Sequence, residues 1–437
     1  MKEAKKYILN TSKYLFLFII FFSFFLFFSS GDADIIWNYG FSHAIRIGEV
    51  PYRDFNIILT PLYPFIMSIG LLIKDSLYVF FIEQAILLLV LIFILDKLLD
   101  KKIYFLILLM LCSYVIYPNY NYFCMLLIVF LLYLEKNNKS DYLIGFVFSL
   151  LFLTKQSIGI FLFIMALIST FDLLKIKKRI IGFIPMNIIF LLYLIFTNSF
   201  KSFIDLCFLG MFDFSSNTLI NFIPALFTLP IFIYLIVRIK NNYKDITIYY
   251  LIGSFSFIIP ICDSNHVCYL YFIFILVLLI NHNVQYSILF KVLFYFIVIG
   301  ILYLNIFVIN KDRLNNYKFY NYNHFEYYFE GSASNKYRTI VSEDYKKRDN
   351  NYMFSCDSMI FNIITDKNID YFSINNYGNF GYNGINKMKK RIDDMHDVYF
   401  YLNGCTNKQS AIEINEYIIE KCQFKYEIMG NKVYYKE

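Results

Sequence analysis

Two aspartates, Asp32 and Asp34, directly follow the first long apolar run of the sequence. A carboxylate at such a place faces a half-dehydrated interface, where it is a better proton acceptor near neutral pH than it is in bulk water. Either residue could therefore take a proton from an attacking hydroxyl group. Acidic residues also mark the water boundary of many membrane helices without any catalytic role. The polar residues of the other segments must therefore decide whether these aspartates are catalytic or only mark such a boundary.

Polar side chains recur in three more short segments between apolar runs. The side chains that could hold a substrate are Tyr52, Arg53, Asp54, Lys155, Gln156, Asp263 and His266. A cation such as Lys155, in a tight turn between two apolar runs, is costly at that depth and usually functional, although lysine can also extend to the headgroups. Together with the aspartates, these residues match what an enzyme acting on a lipid phosphate needs, a base and cations that hold the phosphate.

The composition indicates that these residues are positioned by membrane helices. The chain has 437 residues, of which 59% are hydrophobic and 17% charged, and its mean hydropathy is +0.53. A typical globular protein has about 25% charged residues. The net charge is +7, but the basic residues stand in short clusters between apolar runs, which favours membrane topology over nucleic-acid binding. The eight cysteines show no metal-ligand spacing, so we expect no cofactor and no metal site, although a divalent metal stays possible.

The apolar runs have lengths that suit bilayer-crossing helices of about 20 residues. They fall near residues 13–30, 57–73, 77–95, 103–117, 121–134, 142–154, 157–174, 180–198, 218–237, 247–261, 267–281 and 287–309. The second run is short, opens with Pro61 and Pro64, and ends at Lys74 and Asp75. If it lies in the outer interface, the other eleven cross the membrane.

The distribution of basic residues supports this topology. Inner segments then carry 17 Lys and Arg residues, and outer segments up to residue 310 carry 5. This asymmetry obeys the positive-inside rule and predicts a cytoplasmic N-terminus. The alternative for the first run, a cleaved signal peptide, is disfavoured because no A-x-A site follows it.

The tail, residues 311–437, is predicted to be a small extracytoplasmic α/β domain that follows a membrane domain of residues 1–310. Residues 383–395 and 411–421 have helical patterns, and residues 398–402 have a strand pattern. Residues 426–429 and 432–435, joined by Gly430 and Asn431, predict a closing hairpin. Residues 41–47 of the first outer segment predict a short interfacial helix that stops at Gly48.

The first outer segment resembles that of GT-C fold glycosyltransferases, in the bacterial branch near the protein mannosyltransferases and lipid A aminoarabinose transferases. The resemblance rests on Asp34-x-x-Trp37, Gly48-x-x-Pro51-Tyr52-Arg53-Asp54-Phe55 and Thr60-Pro61-Leu62-Tyr63-Pro64. The turns Thr154-Lys155-Gln156 and Asp263-x-x-His266 are also similar to that branch. It covers residues 13–310, and the tail resembles no family.

The resemblance implies an all-α polytopic membrane enzyme with interfacial helices in its first outer loop. It implies inverting transfer of a sugar from a polyprenyl phosphate to a glycan, lipid or protein acceptor at the outer face, with Asp34 as base. Arg53 and Lys155 would hold the phosphate, with His266 as a further candidate. Asp54 and Asp263 would orient Arg53 and the sugar hydroxyls. The family often has an acidic residue directly after the base, where this chain has Ile35, so Asp32 or Asp54 would supply the second carboxylate.

Two other classes of membrane protein share parts of this pattern. A flippase or transporter of lipid-linked glycans usually has internal repeats and polar residues at mid-bilayer, which are not evident here. A polysaccharide polymerase or ligase of another fold would share the lipid-linked substrate. The sequence of the first outer segment distinguishes that class from the predicted transferase.

Overall fold

The chain is mostly helical, and a small sheet forms near its C-terminus. A computed structural model describes residues 14–29, 33–99, 119–210, 225–259, 262–281, 315–355, 357–371, 380–404 and 409–437. The helices before the tail are α1 Tyr14–Phe27, α2 Ala33–Arg46, α3 Leu62–Leu71, α4 Leu77–Leu99, α5 Tyr120–Lys136, α6 Asp141–Thr154, α7 Gln156–Ile168, α8 Leu173–Phe196, α9 Phe200–Ile204, α10 Leu229–Asn242, α11 Ile246–Ser254 and α12 Ser264–Asn281. The tail adds β1 Tyr317–Tyr322, β2 Phe325–Gly331, α13 Ser332–Lys346, β3 Asn351–Phe354, α14 Ser358–Ile364, α15 Gly384–Asp394, β4 Val398–Leu402, α16 Gln409–Lys421, β5 Gln423–Ile428 and β6 Asn431–Lys436.

Two helices in the described part of the chain, α4 and α8, are long and apolar enough to cross a membrane. They have 23 and 24 residues, which at about 1.5 Å per residue exceeds the roughly 30 Å of a hydrocarbon core. The other apolar helices in the described part of the chain are shorter, with at most 18 residues. The predicted runs 103–117 and 287–309 lie outside the described residues. The eleven-span topology therefore stays a prediction.

The short second apolar run forms α3, a helix of 10 residues. Such a helix is about 15 Å long, half of a bilayer crossing. Its end carries three exposed apolar side chains, Ile69, Leu72 and Ile73. By length, α3 is therefore not a candidate membrane span, and its interfacial position stays a prediction.

The chain divides into two compact units. The first comprises the described residues of Met1–Phe25, Ile82–Phe190 and Ile220–Asn315. The second comprises those of Leu26–Phe81, Leu191–Leu219 and Asn316–Glu437. The second unit thus contains the tail together with the first outer segment. The predicted domain boundary at residue 310 lies outside the described residues and stays a prediction.

In the first unit, small residues let helices approach closely. A side chain at Gly145 of α6 would overlap the main-chain oxygen of Arg179 in α8, and one at Gly182 would overlap that of Tyr142. Glycine pairs of this kind are typical of helix interfaces in membrane proteins, because they bring the backbones into contact. Arg179 is 3% exposed and forms ion pairs of 2.9 Å with both Glu135 and Asp141.

In the second unit, the tail forms a four-stranded sheet of order β3-β4-β6-β5, in which β3 and β4 are parallel and the other pairs antiparallel. Because side chains alternate across a strand, Phe400 and Leu402 pack with α15 and α16, whereas Tyr401 packs with α13 and α14. The predicted helices, the strand β4 and the closing hairpin are confirmed within one to three residues at their ends. The prediction for residues 41–47 was too short, since α2 begins at Ala33 and includes Asp34 in its first turn.

Candidate functional site

The loop after α2 fixes an arginine–aspartate pair. Gly48 has a φ of 96°, a backbone conformation that glycine adopts readily and other residues rarely do. It forms the turn that follows α2. Arg53 donates from Nε and Nη2 to the carboxylate of Asp54, at 2.9 and 2.8 Å. Asp54 also accepts the main-chain N–H of Val50 at 2.7 Å. These hydrogen bonds, that from Arg53 above all, hold the pKa of Asp54 below its usual value, so Asp54 orients Arg53 and is a weak base.

Glu49, in the same loop, is a buried acid. It is 8% exposed, and the main-chain N–H of Ile369 lies against its carboxyl group. Burial, together with the nearby carboxylates of Asp54 and Asp370, raises the pKa of Glu49 to about 8. A carboxyl group with this pKa can accept or release a proton near neutral pH, which is what general acid–base catalysis requires.

A cavity of about 560 Å³ opens in the second unit beside this loop. Its apolar lining comes mainly from α9, the π-helical turn Asp205–Leu209 and α15. The lining residues are Tyr52, Asn56, Phe200, Lys201, Ser202, Ile204, Asp205, Leu206, Leu209, Tyr371, Phe380, Lys387, Met388 and Arg391. A mostly apolar cavity of this size with a few converging polar groups is typical of a ligand site.

Three basic side chains line the cavity against one acidic side chain. Lys387 pairs with Asp205 at 2.7 Å, and its side chain is half exposed. The guanidinium of Arg391 stacks 3.4 Å above the centre of the Tyr371 ring, and its Nη1 is buried without a hydrogen-bond partner among the described residues. Lys201 is exposed. The excess of positive charge and the unpartnered Nη1 suit an anion whose remaining part is apolar.

The cavity and the arginine–aspartate loop form one continuous region. Tyr371 lines the cavity, and its hydroxyl donates to the main-chain oxygen of Arg53. Tyr52, a predicted substrate-binding residue, also lines it, with its hydroxyl donating to the Leu59 oxygen at 2.6 Å. Of the predicted residues Tyr52, Arg53 and Asp54, Tyr52 lines this cavity, and the other two follow it in the loop.

The predicted base, Asp34, is an exposed residue in the first turn of α2. Its main-chain oxygen accepts the side-chain amide of Asn38 at 2.6 Å. Negative charge in the first turn of a helix is stabilised by the helix dipole, which also gives Asp34 a structural role. Asp32 lies outside the described residues.

The other predicted residues meet in the first unit. Lys155, which is 6% exposed, is the single residue between α6 and α7, and its Nζ donates to Asn121 Oδ1 at 2.9 Å. The carboxylate of Asp263 lies 2.8 Å from the imidazole Nδ1 of His266, and Lys155 is within electrostatic range of that imidazole. Gln156 is buried at the start of α7. These residues therefore form one polar group in the first unit, whereas Asp34 and Arg53 belong to the second unit.

Sequence reasoning missed Glu49 and the basic residues of α15. Glu49 belongs to the quoted motif of residues 48–55, but an exposed and a buried glutamate look alike in a sequence. Lys387 and Arg391 lie one turn apart in a strongly amphipathic helix. In the sequence this pattern is typical of a helix face that contacts only solvent. No family model, curated protein or solved structure matches the chain.

Proposed function

We propose that the chain is a membrane glycosyltransferase that moves a sugar from a polyprenyl phosphate to an acceptor at the outer face of the membrane, with inversion. The observation that carries the proposal is the cavity beside the Arg53–Asp54 pair, which combines an apolar lining with Lys201, Lys387 and Arg391. A lipid phosphate has the same combination of an anionic head and an apolar tail. The resemblance of the first outer segment to GT-C transferases supports the same substrate class.

In this proposal the cationic side chains hold the phosphate of the donor. Arginine binds phosphate through two parallel N–H groups, and Arg391 is one of the residues that line the cavity. Negative charge develops on the phosphate as the sugar leaves, so the same contacts strengthen in the transition state. Lys155, Gln156, Asp263 and His266 retain their predicted substrate-binding role in the first unit.

The reaction needs one base for the acceptor hydroxyl. The acceptor oxygen attacks the anomeric carbon, the bond from that carbon to the phosphate oxygen breaks, and the hydroxyl proton passes to a carboxylate. Asp34 is the base that the family resemblance implies. Glu49 is the second candidate, because its pKa of about 8 makes its carboxylate a stronger base than an ordinary one.

Membranes that contain the full-length chain, supplied with a labelled polyprenyl-phosphate sugar, test the two candidates. We expect Asp34→Asn or Glu49→Gln to lower the turnover by about 100-fold or more, the typical contribution of a general base. Lys425→Met, an exposed lysine of β5, serves as the control and should transfer at the parental rate. Full transfer by both acid variants would remove both residues from the role of base.

Topology and reaction type need separate tests. Reporter fusions after residues 75 and 100 should place the first outside and the second inside, as the eleven-span topology requires. A flippase would move the labelled lipid between leaflets of a vesicle without breaking the sugar–phosphate bond. Release of free polyprenyl phosphate, which we expect, distinguishes the transferase from that class.

A further inference from the structure

Three side chains from distant parts of the sequence converge in the second unit. His43 of α2, Asp75 before α4, and His324 in the turn between β1 and β2 each offer one ligand atom, and these atoms lie within 4.8 Å of one another. The side chains of His43 and Asp75 are 5% and 6% exposed, and that of His324 is 18% exposed. This cluster has no part in the proposed transfer reaction.

The surroundings of His324 are unusual for an imidazole. Its Nε2 lies 3.0 Å from Asp366 Oδ1, and its Nδ1 lies 2.8 Å from the main-chain oxygen of Asp75. A neutral imidazole that donates from Nε2 has a lone pair on Nδ1. That lone pair then faces the Asp75 main-chain oxygen at 2.8 Å, which is repulsive unless a proton lies between the two atoms or they move apart to coordinate a metal ion.

The Asp75 carboxylate completes the ligand set. Its Oδ2 lies 2.8 Å from His43 Nδ1 and 3.6 Å from His324 Nδ1. Tetrahedral zinc, with Zn–N and Zn–O distances of about 2.1 Å, places its ligand atoms about 3.4 Å apart. The separation of His43 from Asp75 must therefore open by about 0.6 Å, which a small side-chain rotation supplies. The main-chain oxygen of Asp75 is a candidate fourth ligand.

We propose that His43, Asp75 and His324 form a zinc-binding site. The contact between His324 and Asp366 is the carboxylate–histidine arrangement that orients most metal-ligating histidines and fixes their tautomer. Two imidazoles and one carboxylate form a donor set that zinc prefers. The proposal departs from the expectation of no metal drawn from the sequence, where the ligands stand 32 and 249 residues apart.

Arg46 is the group that competes with the metal. Its Nη1 lies 3.3 Å from Asp75 Oδ2, but its side chain is about one-third exposed and can turn toward solvent. The divalent zinc ion would then take the place of the monovalent guanidinium of Arg46 beside Asp75.

The site would be structural. It joins α2, the segment before α4 and the β1–β2 hairpin, which also meet where the Leu77 N–H donates to the His324 oxygen at 2.8 Å. Because the ligands come together only in the folded chain, zinc binding stabilises the fold by mass action. This inference is independent of the proposed transferase activity.

The test uses the full-length chain in detergent, stripped with a chelator and titrated with zinc alone. We expect one zinc ion per chain by elemental analysis and a melting temperature that rises with zinc concentration. His43→Ala and His324→Ala should lose the ion and the thermal shift, and Asp366→Asn should weaken binding by about 10-fold. His396→Ala is the matched control, since His396 is an exposed histidine of the same unit.

A second measurement uses the parental chain alone, so that it does not depend on whether the variants fold. Cobalt added to the stripped parental chain should give the visible absorption bands of a tetrahedral nitrogen–oxygen site, and zinc should remove them. The proposal is overturned if the parental chain binds no zinc, or if His43→Ala and His324→Ala retain the ion as His396→Ala does. In that case a proton on His324 accounts for the cluster.

Discussion

Two arginines, one in each unit, have opposite environments. In the first unit, Arg179 is 3% exposed, and Glu135 and Asp141 both pair with it. In the second unit, Arg391 lines a cavity, stacks on a tyrosine and has a buried Nη1 without a partner among the described residues. The first arrangement is closed and serves packing, whereas the second leaves binding capacity for a ligand. The difference between the two arginines lies in their partners, which are two carboxylates for Arg179 and a tyrosine ring for Arg391.

Substitution of Arg179 is expected to have the largest effect on stability, and it tests this contrast. Arg179→Met leaves the carboxylates of Glu135 and Asp141 buried without their cation, so we expect the free energy of unfolding to fall by about 3–5 kcal/mol. The measurement is denaturant or thermal unfolding in detergent. Lys387→Met, which breaks a half-exposed ion pair with Asp205, is the control and should cost less than about 1 kcal/mol. Equal losses in the two variants would contradict the contrast.

The next effect concerns the cavity. Arg391→Met removes a guanidinium that is not needed to neutralise a neighbour, so stability should change by less than about 1 kcal/mol. Its loss should weaken binding of a polyprenyl phosphate by about 10-fold or more, the contribution of a hydrogen bond to a charged group. Titration of the donor against purified protein measures this affinity. A variant that loses stability and keeps its affinity would make Arg391 a packing residue.

A further effect is a pH dependence that comes from Glu49. The folded chain holds the Glu49 proton up to about pH 8, whereas an unfolded glutamate releases it near its ordinary pKa. The folded state therefore binds more protons between these values, and its stability falls as the pH rises through this window. We expect a loss of about 2 kcal/mol across it, allowing for local relaxation. Glu49→Gln should abolish this slope in melting temperatures measured from pH 5 to 8, and an unchanged slope would assign it to other groups.

Much of the tail could be predicted from the sequence, because its signals are local. Alternating side chains and the Gly430-Asn431 turn indicate the closing hairpin without reference to distant residues. The ion pair of Arg53 with Asp54 and the approach of Asp263 to His266 are also short-range. The helix α2 extends further than predicted because Ala33–Tyr39 lacks a strong breaker, and a helix start after a glycine is hard to place.

The cavity and the histidine cluster could not be predicted, since both depend on pairs far apart in the chain. Tyr52 and Arg391 line the same cavity only because the second unit folds around both segments. Burial has the same limitation, because the sequence around Glu49 does not reveal which residues cover it. Residues 369 and 370 do so, and they lie more than 300 positions further along the chain.

The second unit is assembled from segments that lie far apart in the sequence, and this affects its biogenesis. Its cavity uses side chains from Tyr52 to Arg391, so about 340 residues must be synthesised after the first of them before the lining exists. At about 5–20 residues per second, a ribosome needs roughly 20–70 s for this length. During that interval the first outer segment lacks its packing partners from the tail. A chain truncated before α15 would therefore reach the membrane without a complete cavity, however well its earlier helices insert.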